Sequence, residues 1–198
     1  MIESFKVNQL TVEIHQDSDP MDPREWDNVG KMVCWHRNYL LGDEQPKCSP
    51  SEYLFQLMCE REFDKHRKYL PDEEVVGEEN IRKYIEKHFC VLPLYLYDHS
   101  GITMSTSKFS CPWDSGQVGF IYAPRECEEY ADLEEGLIGE VKTYDRYLRG
   151  DFCVYDIKDE WGNVLDSCRG FDDLSACREQ GKIEAESLSQ NLCVAASI

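Results

Sequence analysis

The chain has 198 residues and a formal net charge of -18, with 39 acidic residues against 21 basic ones. The length is enough to bury a real core, and 41% hydrophobic with 12% aromatic residues rule out a disordered acidic tail. A negative surplus of this size speaks against direct binding to nucleic acid or to an anionic membrane, because neutralising phosphate takes an excess of lysine and arginine; it fits a partner that is itself basic.

In chain order, "VNQLTVEIHQ" alternates as a strand, and the two Asp-Pro steps of "DSDPMDPREWDN" break regular structure after it. A second strand is expected around Lys31 to His36, able to pair with the first through this long connection. Ser49 or Ser51 is placed to cap a helix over about 51–69, with Pro50 in its first turn and Leu54, Phe55, Met58 and Cys59 at helical spacing. "DEEVVGEENIRKYIEKHF" reads as an amphipathic helix with Ile81, Tyr84, Ile85 and Phe89 on one face. "LPLYLYDHSGITMSTS" reads as a hairpin turning at Asp98-His99-Ser100-Gly101. "QVGFIYAP" is a central strand ended by Pro124, and a helix broken or strained at Gly136 and Gly139 is expected from about Glu126 to Leu148. "FCVYDIKDEWGNVLDSCRGF" is a hairpin turning at Trp161-Gly162-Asn163, followed by a short helix capped by Asp172 or Asp173.

Strands, helices, hairpin, strand, helix, hairpin, helix is not a βαβ alternation. It predicts an α+β fold with a mainly antiparallel sheet and helices packed on it. Residues 1–198 are read as a single domain, with 183–198 a C-terminal tail that frays or docks on the core. There is no run of about 18 apolar residues, and the polar start "IESFKVNQLTVEI" does not resemble a signal peptide. A cytoplasmic setting is therefore expected. Ten cysteines occur without a single CxxC spacing, so most are expected to be small core hydrophobes.

Four blocks, "DPREWDNVGKMVCWHRNYLLGDE", "LPLYLYDHSGITMS", "CPWDSGQVGFIY" and "TYDRYLRGDFCVYDIKDEWGNVLDSCRGF", give the chain from about Asp22 to Phe171 a distinctive signature. In them the chain resembles an uncharacterised family of small acidic proteins of phages and other mobile elements. The resemblance brings no fold, cofactor or catalytic residue with it. It implies an accessory protein at work inside a bacterial host cell, a setting in which many such proteins act against host defences.

Chemistry can be sought at two places. The first is a pocket of Asp98, His99, Cys111, Trp113 and Asp114, in which an imidazole beside the Cys111 thiol would generate a nucleophilic thiolate. Here Trp113 is read as a plug at the mouth of the following strand. No cysteine-hydrolase motif surrounds Cys111, so a buried cysteine at a strand entry is the simpler reading and no catalytic residue is assigned. Cys34 and His36, flanking Trp35 on a strand, would share one face and suit zinc together with Cys111 or His99. Asp17, Asp19, Asp22 and Asp27 have the donors for calcium but lack the glycine of an EF-hand loop. No metal is assigned, and without a P-loop, a GxGxxG turn or a GxSxG elbow no cofactor is either.

The second place is the acidic surface. Glu126, Glu128, Glu129, Asp132, Glu134, Glu135 and Glu140 fall on one predicted helix, and Glu73, Glu74, Glu78 and Glu79 on another. Asp156, Asp159, Glu160, Asp166, Asp172 and Asp173 add a third group. Aligned on one face, such carboxylates would imitate a phosphate track and enter a basic groove; unaligned, they are solvated faces that keep the chain soluble. The expected function is a non-enzymatic accessory protein that binds a basic host protein, itself nucleic-acid-binding, as an anti-defence inhibitor or nucleic-acid mimic. The alternative is a small enzyme or ligand-binding protein with its pocket near His99 and Cys111.

Overall fold

The computed structural model describes residues 1–66, 76–127 and 131–195. In chain order these form strands β1 (Glu3–Val7), β2 (Leu10–Gln16) and β3 (Lys31–Cys34), and helices α1 (Pro50–His66) and α2 (Glu78–His88). Strands β4 (Phe89–Asp98), β5 (Ile102–Ser105) and β6 (Ser115–Pro124) follow, then helix α3 (Leu133–Arg149), strands β7 (Cys153–Lys158) and β8 (Val164–Phe171), and helix α4 (Leu174–Ala195). The fold is α+β, with every strand pairing within the sheets antiparallel. Where composition suggested one domain, the chain divides into two compact units, residues 1–23 with 143–198 and residues 24–142. None of the described helices is long and apolar enough to cross a membrane.

The first unit is a four-stranded sheet in the order β1-β2-β7-β8. The single strand expected over "VNQLTVEIHQ" is instead the end of one strand, a turn and a second strand. Asn8, with φ of 55°, takes the left-handed conformation that asparagine tolerates, and Val7 pairs back onto Leu10. Leu10, Val12 and Ile14 alternate onto one face with Cys153, Tyr155 and Ile157 of β7, and all are buried. Helix α4 covers that face through Cys177 and Ala185. Glycine at 181 allows the close approach, since a Cβ there would lie 3.1 Å from Val12 Cγ1 and 3.2 Å from the Tyr155 ring. Asp173 caps α4 by accepting the backbone N–H groups of Ser175 and Ala176. The helix is not short: it continues through Ala195, so the described part of the expected tail, 183–195, is its extension, with Ala185 and Ser189 buried; residues 196–198 lie outside the described residues.

On the opposite face Glu13 stands directly across from Asp156, a like-charge pair that costs stability on its own. Lys158 relieves it, its Nζ donating to Glu13 Oε2 at 2.6 Å, and His15 Nε2 lies 3.2 Å from the same oxygen. The hydrogen bond from Lys158, outweighing desolvation, holds the Glu13 carboxyl below its usual range. The β7–β8 turn is tied by Asp159, which accepts the N–H groups of Trp161 and Asn163 at 2.9 and 2.8 Å.

The second unit is a sheet in the order β3-β6-β4-β5. Strand β3 ends at Cys34, short of His36, and pairs with β6 rather than with β2. Strand β6 is an interior strand and the β4–β5 hairpin turns at 98–101, both as expected. Ser49 caps α1, accepting the Glu52 N–H on its Oγ at 3.2 Å with Pro50 as the first helical residue. Helices α1 and α2 lay Tyr53, Met58, Ile81 and Ile85 against Val33, Phe89, Phe120 and Tyr122 of the sheet. The Tyr53 hydroxyl donates to Glu44 Oε2 and stands 3.2 Å from the Tyr122 hydroxyl. Burial, ahead of both partners, pushes the Tyr53 phenol strongly upward.

Candidate functional site

The five pocket residues converge only in part. The backbone N–H of Asp98 donates to the Asp114 carbonyl at 2.8 Å, which ties the β4–β5 turn to the loop before β6. Asp114 Oδ2 is the centre of the group: the Cys111 thiol donates to it at 3.6 Å and His99 Nδ1 lies 3.5 Å away. Asp98 Oδ2 accepts the Tyr39 hydroxyl at 3.1 Å, and this bond, with the charge behind it, raises the Tyr39 phenol. Trp113 overturns its expected role. It is no plug but stands 91% exposed. Pro112 is exposed beside it, and the strand entry is held instead by the Ser115 hydroxyl donating to the Cys111 carbonyl.

The order of these contacts decides what they can do. A thiolate nucleophile needs the imidazole on the sulfur to take its proton. Here the Asp114 carboxylate takes both contacts, so the thiol is hydrogen-bonded to an oxygen rather than to the imidazole, and His99 is turned to Asp114. The zinc arrangement fails on geometry as well. Cys34 is buried, and burial, with Asp43 adding and Arg24 opposing, pushes its thiol up to about 12. His36 closes a local turn, its Nδ1 accepting the N–H groups of Asn38 and Tyr39 at 3.3 and 3.2 Å. Asp17 is buried and uses Oδ1 to accept the Asp19 N–H. Among the described residues no three His, Cys, Asp or Glu side chains gather to hold a metal ion.

Of the nine cysteines with described surroundings, four are buried, namely Cys34, Cys90, Cys153 and Cys177, and Cys168 is exposed. Burial, ahead of its cysteine neighbours, pushes Cys177 up to about 12 as well. Among these nine, alkylation of the folded chain at pH 8 followed by peptide mass spectrometry is therefore expected to modify Cys168 ahead of the four buried cysteines. Cys34 and Cys177 should react only after denaturation. Rapid native modification of Cys34 would refute this account of its burial.

The acidic residues separate into different roles. Glu73, Glu74, Glu128 and Glu129 lie outside the described residues. Glu126 precedes α3, which begins at Leu133 and runs unbroken through Gly136 and Gly139; its carboxylate pairs with Arg61. Asp132 caps α3 by accepting the Glu135 N–H at 3.1 Å. Glu134 and Glu135 occupy the first turn of that helix, and Glu78 and Glu79 the first turn of α2, where carboxylates offset the helix dipole. Glu79 also pairs with Arg82 and Lys83. Asp132, Glu134, Glu135, Glu78 and Glu79 are all exposed.

Glu140 is the correction among them, for it faces the interior. Its side chain is 6% exposed; Oε1 accepts the N–H groups of Val29 and Gly30 at 3.0 Å each, and Oε2 meets Arg24 Nη1 at 2.9 Å. Arg24, 5% exposed, also holds Asp43 at 2.7 Å, and Asp43 in turn accepts the Met32 N–H at 2.6 Å. The helical stripe Leu137, Val141 and Tyr144, all buried, carries Glu140 inward one turn above Leu137. That spacing was a readable sign of its burial. Nothing in the sequence singles out Arg24 or Asp43.

Comparison of the chain with protein-family models, with curated proteins and with solved structures gives no match.

Proposed function

We propose that this is a non-enzymatic interaction protein that binds a basic partner through surface carboxylates. One observation carries the reading. Among the described residues, Asp17 and Glu140 are the only buried acidic side chains, so the negative surplus is a property of the surface and is available to a partner. The surplus divides evenly between the two units, which suits an extended basic surface better than a single small cationic ligand. An exposed field of one sign speeds encounter and selects partners of the other. Together with the resemblance to phage and mobile-element proteins, this favours a host nucleic-acid-binding protein as target, within the host cytoplasm, and inhibition by imitation of its nucleic acid. The thiol, carboxylate and imidazole at 111, 114 and 99 lack the order a nucleophile requires, so the enzymatic alternative is not favoured.

Capture from a bacterial lysate on the immobilised chain tests the reading. Proteins with basic isoelectric points are expected to be retained at low salt and released steeply as salt rises. They should also be displaced by duplex nucleic acid that the chain itself does not bind. Retention indifferent to salt would count against it, as would recovery of a small molecule alone.

A further inference from the structure

We infer that the loops at one end of the second sheet, centred on Trp113, form the arginine-recognising contact of this protein. The inference rests on the proposed binding of a basic partner and gives that partner's recognition element. Trp113 is 91% exposed and Leu40 is 88% exposed. Large apolar side chains so far out of a fold mark interaction sites when they gather, and tryptophan leads the residues that carry binding energy. The loops that carry these two are tied together by a chain of contacts. Leu40 follows Tyr39, which donates to Asp98. Asp98 is bonded through its backbone to Asp114, the neighbour of Trp113.

The surrounding side chains define the ligand. Tyr39 stacks on His36 with ring centroids 4.9 Å apart, and Tyr97 lies between His99 and Phe109 at 6.1 and 5.7 Å. Tyr39 and Tyr97 are thus buttressed, which limits the entropy lost when they are covered. Asp98 and Asp114 are both exposed. Each uses Oδ2 for the bonds already given, and each has an Oδ1 with no hydrogen-bond partner among the described residues. An exposed indole next in the chain to a carboxylate with an open acceptor oxygen offers what a guanidinium takes, a face on which its plane stacks and an oxygen for its forked N–H groups. An ammonium offers neither the plane nor the fork. Arg37 and Lys108 lie on the same loops, so the contact works through this short-range fit rather than through a strong local field.

The test uses the full chain and a fluorescently labelled peptide of four arginines spaced by glycine, with its lysine counterpart as comparison. Binding is read by anisotropy at low salt and by the indole N–H resonances, Trp113 being assigned from its Trp113→Phe variant. The arginine peptide is expected to bind several-fold more tightly than the lysine peptide and to shift the Trp113 indole. Trp113→Ala and Asp114→Asn should each weaken it about tenfold, whereas Glu52→Gln, an exposed acid outside the proposed acidic face, should change it less than about twofold; a Glu134→Gln with Glu135→Gln variant probes that face itself. Trp113→Ala removes an exposed, uncharged side chain, so it stays informative even if Asp114→Asn loosens the loop. Unchanged affinity in Trp113→Ala would overturn the inference. If affinity falls in the Glu134 and Glu135 variant instead, the acidic-surface reading survives without it; if neither peptide binds the wild-type chain, both are lost.

Discussion

Replacing Arg24 with methionine is expected to lower the unfolding free energy by about 3–5 kcal/mol, the range seen when one partner of a buried ion pair is removed. Two carboxylates depend on this one guanidinium. Glu140 is almost fully buried, and Asp43 is pinned at 2.7 Å. Without Arg24 both lose the guanidinium paired with them while their backbone donors at Val29, Gly30 and Met32 hold them in place. The strain cannot be relieved by turning the acids to water without giving up three further hydrogen bonds. Urea denaturation reads the effect as a lower midpoint at an unchanged slope. Glu140→Gln separates charge from hydrogen bonding, since it keeps an oxygen for the two N–H groups and gives up the charge paired with Arg24. It should cost less than Arg24→Met. A shift under about 1 kcal/mol for Arg24→Met would mean that the network is hydrated in solution.

Alanine at Gly119 is expected to be similarly damaging, at about 3 kcal/mol, the upper range for forcing atoms into a packed interior. Gly119 sits where β6 crosses β3 and pairs with Cys34. A Cβ there would lie 2.0 Å from the Val33 carbonyl oxygen and 2.9 Å from Cys34 Cα. Both are backbone atoms of the neighbouring strand, so no rotamer change makes room. Relief comes only by separating β3 from β6, which exposes Val33 and the rings of Trp35 and Phe120 packed beside it. Gly116 is the matched control, in the same strand with nothing within 4 Å of its added Cβ. Gly116→Ala should leave the denaturation midpoint nearly unchanged. Equal effects at the two sites would sink the steric argument.

What the sequence disclosed depended on whether a signal was local. The β7–β8 hairpin was legible because "FCVYDIK" alternates and a short polar turn follows it. Ser49 and Asp173 were legible as caps because a capping side chain binds N–H groups two or three residues away. The Asn8 turn was missed because no glycine follows the asparagine, the usual mark of a tight hairpin. The partition into two sheets was out of reach, since strands distant in the chain carry no label saying which will pair. The same holds for the candidate site. The meeting of Asp98, His99, Cys111 and Asp114 was anticipated from neighbouring turns, but whether Trp113 faced inward or outward depends on its tertiary surroundings. Glu140 looked like one more surface acid because composition was weighed there ahead of helical position.

The first unit is assembled from residues 1–23 and 143–198, with the whole second unit spliced between them. During vectorial synthesis the β1–β2 hairpin therefore emerges ahead of the second unit and waits for the strand it needs, since β2 pairs with β7 and an isolated two-stranded hairpin is marginal in water. The second unit draws both its sheet partners and its helices from one continuous stretch and can close while the rest is still being made. Its closure also joins the ends of a long loop, and such entropy grows only slowly with loop length. Folding is thus ordered from the insert outward: the continuous unit first, the discontinuous unit last.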